Sequence, residues 1–181
     1  MPNPPHHLIK EVFEERYKKL LGDRYDEFIK YSFCYLNKSI RVNTLKISVE
    51  DLKKRLTDRW MLKPVPWCKE GFWIKYKGDQ EQEERFDIGN LPEHALGYIY
   101  VQDAASMIPP VVLQPQPGDI VLDMCAAPGS KTSQMTAFMD NQGLVIANDM
   151  QASRLPALGI NLQRVGSTCT MVTKMAGQRF A

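Results

Sequence analysis

The chain has 181 residues, with 23 Lys and Arg against 21 Asp and Glu, 44% hydrophobic and 24% charged residues, a profile that excludes collagen-like, disordered and disulfide-scaffold classes. No run approaches the roughly 18 apolar residues of a membrane span, and the first residues lack the apolar core of a secretory signal, so a cytoplasmic protein without a membrane anchor is expected. Cys34, Cys68, Cys125 and Cys169 are scattered with no C-x-x-C pair, which predicts reduced thiols and no metal site.

Charge is uneven along the chain: residues 1–90 hold 18 basic and 15 acidic residues, residues 91–181 only 5 and 6. The contrast predicts an α+β accessory domain over 1–90 followed by an α/β domain over 91–181. A net charge of only +2 confines any nucleic-acid contact to a local patch.

In chain order, apolar spacing predicts helices across 8–36 with a break at Gly22-Asp23. Alternation of Ile40, Val42 and Thr44 with Arg41, Asn43 and Leu45 predicts a half-buried strand over 39–47. Ser48 and Asp51 have capping-box spacing and open a helix carrying Leu52 and Leu56. Strands follow near 61–66 and 71–77, the first placed at an edge by Pro64 and Pro66, with Gly71 at the turn. The polar segment 78–90 reads as a linker. A short strand over 97–102, a helix from Asp103 limited by Pro109-Pro110, and a turn at 115–118 come next. Strands at 120–124, 144–148 and 170–173, with helices at 132–139 and 153–165 between them, make a βαβαβ pattern.

The stretch from Val121 to Thr132 joins an apolar strand to a helix through small residues, which let a ligand approach the backbone at the N–H groups of the helix end. It is not a phosphate-binding P-loop, because Met124 stands where the first Gly is needed, nor a dinucleotide fingerprint, because only Gly129 is present. A nucleoside cofactor without pyrophosphate remains, for which S-adenosylmethionine is the obvious candidate. Asp149, at the end of the second strand, stands where an acid bonds ribose hydroxyls in doubly wound sheets; capping the next helix is the alternative. Lys53, Lys54, Arg55, Arg59 and Lys63, followed by Trp60, Trp67, Phe72, Trp73 and Tyr76, are either an RNA surface or a solvated helix face beside an aromatic core.

Arg41-Val-Asn-Thr-Leu-Lys46, Val101-Gln-Asp-Ala-Ala-Ser-Met107, Asp123-Met-Cys-Ala-Ala-Pro-Gly-Ser-Lys-Thr132 and Asn148-Asp149 with Arg154-Leu155 and Asn161 resemble, in order and spacing, the Sun-type RNA cytosine-5 methyltransferases. The resemblance runs from about Ser39 to the end and implies a Rossmann-like S-adenosylmethionine-dependent domain acting on tRNA or rRNA. It implies that Cys125, Ala126, Ala127, Pro128, Gly129, Ser130 and Lys131 hold the methionine and ribose of the cofactor, with Asp149 on the ribose and Arg154 nearby. It also places the segment of Arg41 against the cofactor domain and the RNA, and makes Arg41 an expected RNA contact beside Lys53, Lys54, Arg55 and Arg59.

The chemistry of that family needs two cysteines, because cytosine C5 becomes nucleophilic only after a thiolate adds at C6. The family carries one in an Asp-Ala-Pro-Cys segment, absent here, and one in a Thr-Cys segment after the fifth strand. Thr168-Cys169 has the second motif's letters but precedes the third strand, and Cys125 belongs to the cofactor loop, so no catalytic residue is assigned. Ala176 replaces the Asp that the family commonly uses for the adenine amino group. The 64 residues from Gly118 onward are fewer than the roughly 150 of a complete doubly wound domain. The expectation is therefore the accessory domain plus the first part of a methyltransferase whose catalytic half is absent and which is inactive alone. A non-catalytic RNA-binding module built on the same front end is the alternative.

Overall fold

Within the computed structural model, residues 9–34, 36–78 and 87–180 are described. The chain divides into two compact units, one running to Leu36 and one from Asn37 onward. In the first, α1 (Glu11–Leu21) and α2 (Tyr25–Ser32) are joined by a 3-10 turn at Gly22–Arg24, where the sequence has its break. The rings of Phe13, Tyr17 and Phe28 cluster, the Tyr17 and Phe28 centroids 5.0 Å apart. Tyr25 and Ile29 are its buried residues.

The second unit contains two sheets. In the first, β1 (Ser39–Val42), β2 (Trp60–Val65), β3 (Cys68–Tyr76) and β4 (Ile99–Val101) pair antiparallel in the order β2-β3-β1-β4. With α3 (Val49–Leu56) and α4 (Pro92–Ala95) between the strands, this is the split β-α-β-β-α-β arrangement. Ser48 caps α3 by accepting a hydrogen bond from the Asp51 amide, as its spacing predicts. The proline-bearing β2 is an edge strand.

Three local expectations change. The first strand stops at Val42, not at residue 47, because the Asn43 carbonyl accepts from the amides of Lys46 and Ile47 and turns the chain. All four β1 residues are buried, because Ile40 and Val42 pack on Leu52 and Leu56 of α3 while Arg41 meets Ser133 on the other face. The turn between β2 and β3 lies at Pro66-Trp67, and Gly71 sits inside β3. Of the expected linker, residues 79–86 lie outside the described residues; Ile88, at its end, is buried in the core with Ile40, Val42, Leu52, Trp60 and Phe72.

The second sheet follows α5 (Ile108–Leu113) and has the expected βαβαβ order: β5 (Ile120–Asp123), α6 (Ser130–Phe138), β6 (Leu144–Asn148), α7 (Leu155–Val165) and β7 (Thr170–Thr173). The strands are parallel in the order β5-β6-β7, so their carboxyl ends and the loops that follow gather on one edge. Leu158 and Leu162 of α7 pack on Ala126, Ala127 and Ala147, while Met135 and Met139 of α6 pack on Val121 and Val145.

The two sheets are joined by polar side chains of the Arg41-to-Lys46 segment. Asn43 Nδ2 donates to the carbonyls of Gly97 and Val165 at 2.8 and 2.7 Å, and Lys46 Nζ donates to those of Leu96 and Arg164. Both side chains thereby satisfy carbonyls at the carboxyl end of α7, which lack helical partners. Gly97 has φ +71°, and a Cβ there would lie 2.0 Å from the Arg164 carbonyl oxygen; only glycine permits this approach.

Candidate cofactor site

Between Asp123, the last residue of β5, and Ser130, the first of α6, the chain reverses through a short turn. The Asp123 carboxylate clamps both sides of it, accepting from the Cys125 amide at 3.2 Å and from Thr132 Oγ1 at 2.7 Å. Gly129 has φ +106°, and a Cβ on it would meet Leu158 Cδ1 at 3.1 Å, so any other residue here is strained. No side chain caps α6, which leaves its first-turn N–H groups and the positive end of its dipole available to a ligand. Cys125 and Pro128 are exposed, Ser130 and Lys131 half-buried, and Ala126, Ala127 and Gly129 buried.

Neighbouring elements hold the turn by its backbone. The Ala126 amide donates to the Asn148 carbonyl, and the Pro128 carbonyl accepts from Tyr100 Oη at 3.1 Å and Asn161 Nδ2 at 2.9 Å. Asp149, 3% exposed, accepts from the Ala127 amide through Oδ2 and from the Gln151 amide through Oδ1. Arg154 pairs with Asp149 at 3.2 Å and donates to the Ala127 carbonyl. The structure therefore brings residues 125–131, Asp149 and Arg154 together at the carboxyl ends of β5 and β6. Asp149 stands beneath the turn as the residue that shapes it.

Asn148 is a positioning residue that sequence reasoning quoted without a role. Fully buried, it donates to the carbonyls of Met124 and Met175 and accepts from the Met175 amide and Thr173 Oγ1. One side chain thus ties the loops after β5 and β7 to the end of β6, and holds Met175 directly before Ala176. Its signal was a polar residue closing an apolar strand.

Expected RNA residues are dispersed. Lys53, Lys54, Arg55 and Arg59 are exposed on and just after α3, away from the turn in sequence and sheet. Lys54 pairs with Asp51 at 2.9 Å and Arg55 with Glu93 at 3.1 Å, which offsets part of their charge. Arg41 is corrected: it is 1% exposed, so it offers no surface for RNA. Its Nε donates to Gln102 Oε1 and its Nη2 to Ser133 Oγ. Trp60 and Phe72, 3% and 2% exposed, belong to the core and cannot stack on bases; Trp67, at 40%, is accessible.

Cys169 stands at the amino end of β7, on the opposite edge of the sheet from the turn 125–131, half-buried against Val121, Met135, Met139 and Val145. Burial pushes its thiol above the ordinary cysteine range, which disfavours the nucleophilic thiolate. Among the described residues, no three His, Cys, Asp or Glu side chains gather as a metal site, and no helix is long and apolar enough to cross a membrane.

A parallel βαβαβ sheet with a glycine turn at the end of its first strand, braced by an acid at the end of its second, is a Rossmann-like α/β arrangement. Family models agree in detail: residues 9–104 match the N-terminal domain of 16S rRNA methyltransferase RsmF, and residues 110–181 match 16S rRNA methyltransferase RsmB/F. The chain belongs to this RsmF-type methyltransferase family. It is 48% identical over 158 residues to ribosomal RNA small subunit methyltransferase F of Shewanella oneidensis, covering 86% of this chain and 32% of that protein. With the tRNA (cytosine(49)-C(5))-methyltransferase of Pyrococcus abyssi it shares 45% identity over 176 residues, 96% of this chain and 53% of that one. The crystal structure of a methyltransferase homolog protein from Pyrococcus horikoshii aligns with a TM-score of 0.83 at 40% identity, over 95% of this chain and 54% of that one. The chain thus spans about a third to a half of the length of these relatives.

Proposed function

We propose that this chain holds S-adenosylmethionine on the turn 125–131 and belongs to an enzyme that methylates C5 of a cytosine in tRNA or rRNA. The observation that carries the cofactor assignment is the uncapped start of α6 beside Gly129, whose backbone conformation favours glycine. The donor set fits a nucleoside thioether with an amino-acid tail: helix-end N–H groups and Lys131 suit a carboxylate, and Asp149 can accept from ribose hydroxyls once Arg154 releases an oxygen. When bound, the cofactor supplies an electrophilic methyl group. The chain's own residues bind and orient it: Asp123 and Asp149 brace the turn, and Asn148 sets the neighbouring loops around it.

RNA as substrate is supported by the relatives, whose names specify rRNA and tRNA, and Lys53, Lys54, Arg55 and Arg59 supply cations for its phosphates. A cytoplasmic location belongs to the same proposal, as does the division into accessory residues 1–90 and methyltransferase residues 91–181. Neither Cys125 on the turn nor Cys169 on the far edge stands where a C6 nucleophile is needed, so these 181 residues bind cofactor without transferring its methyl group.

Calorimetry with S-adenosylhomocysteine tests the cofactor assignment. Saturable binding by the wild type that disappears in a folded Gly129→Val, Asp149→Ala variant supports it; equal heats from both proteins overturn it.

A further inference from the structure

Among the described residues, Arg41 is a buried charge with no carboxylate in direct contact. Its hydrogen-bond partners, Gln102 Oε1 at 2.9 Å and Ser133 Oγ at 2.8 Å, are neutral, and the Tyr100 ring lies 5.9 Å away. Glu70 influences it only at longer range, and its carboxylate accepts from the Cys68 thiol. Loss of hydration lowers the Arg41 pKa to about 10. A packed apolar residue would cost less at such a place than an unpaired cation.

The guanidinium also stands at the wrong end of a helix for a cation. Ser133 Oγ, which accepts from Arg41, donates at 3.0 Å to the carbonyl of Ser130, the first residue of α6. The first turn of α6 contains no acidic residue and does contain Lys131. Its dipole therefore adds positive potential to two cations. Asp123 is the nearest acid of the turn, and its oxygens are engaged by Thr132 and the Cys125 amide. Those donors are neutral and leave the Asp123 carboxylate charged, so this one acid stands against Arg41, Lys131 and the helix dipole, and a bound anion would add to the balance.

We infer that Arg41 is a positioning residue for the carboxylate of the cofactor's amino-acid tail, acting from beneath α6 through Ser133 without touching it. This rests on the proposal that the turn binds S-adenosylmethionine. It gives Arg41, expected at the RNA surface, a function in the interior, and makes the β1 strand of the first sheet a contributor to the cofactor site of the second.

Two probes separate charge recognition from scaffolding: S-adenosylhomocysteine, which bears the carboxylate, and 5′-methylthioadenosine, which has the same nucleoside thioether without the amino-acid tail. In calorimetry, Arg41→Met is expected to lower the preference for the first probe over the second by on the order of tenfold, with affinity for 5′-methylthioadenosine unchanged, and Arg41→Lys is expected to restore most of the preference. If Arg41→Met does not fold, Arg41→Gln, which keeps a donor in the polar interior, carries the same comparison. An unchanged preference in the folded variants, or equal losses for both probes, overturns the inference while leaving the cofactor assignment standing. A wild type that binds neither probe overturns both.

Discussion

Asn43 Nδ2 lies 2.7 Å from the carbonyl oxygen of Val165, 122 positions along the chain, and this bond fastens the end of β1 to the end of α7. The same amide reaches Gly97. Replacing Asn43 by Ala leaves two buried carbonyls without their donor and lowers stability by about 2 kcal/mol. Urea denaturation measures it, and Lys46→Ala, whose hydrogen bonds are exposed, costs less than half as much.

Gly129→Ala separates conformation from bulk. The positive φ and the contact with Leu158 cost on the order of 1–3 kcal/mol in stability, and the distorted turn loses cofactor binding. Thermal melting and calorimetry on the same sample check the two effects; a variant that melts lower yet binds S-adenosylhomocysteine as well as wild type contradicts the assigned role of the turn.

If the chain binds RNA as proposed, the cations on and just after α3 are not equivalent. Lys53→Ala, Lys54→Ala and Arg59→Ala together weaken binding uniformly across RNA sequences and flatten its salt dependence, because phosphate contacts carry no base information. Arg55→Ala behaves differently: it leaves the Glu93 carboxylate, whose side chain is only 10% exposed, without its partner, and costs about 1 kcal/mol of stability. Filter binding across a salt series, beside melting curves, distinguishes the two patterns.

Cys68 makes stability pH-dependent on the alkaline side. Burial, chiefly, raises its thiol pKa to about 11 from 9.0. A raised folded-state value means that its contribution is complete below the unfolded value and is lost as pH rises through the folded one. Between pH 9 and 11 the wild type accordingly loses about 2 kcal/mol more than Cys68→Ala does, as read from denaturation midpoints at several pH values.

The βαβαβ order, the edge position of β2 and the cap at Ser48 were legible because each depends on local rules: apolar period, proline's missing donor, side-chain reach over three residues. The turn 125–131 was legible as a turn for the same reason, since Gly129 and the small residues around it act on their own backbone. Burial of Arg41 was not. Alternation assigns a face to a residue but not what covers that face, and β1 is buried on both faces because Leu52 and Leu56 of α3 pack on Ile40 and Val42 while Ser133 of α6 meets Arg41 from the other side. Asn148 escaped for a related cause: its four hydrogen bonds reach residues 24 to 27 positions away, where no spacing rule extends.

Cysteine labelling tests the central claim, a cofactor on the turn 125–131, most directly. Cys125 is exposed on that turn while Cys68 is 2% exposed, so iodoacetamide modifies the first readily in the folded protein and the second only after unfolding. Saturating S-adenosylhomocysteine is predicted to slow modification of Cys125 at least tenfold, with labelling of Cys34 unchanged. Modification of Cys125 at the same rate with and without the ligand would contradict the account.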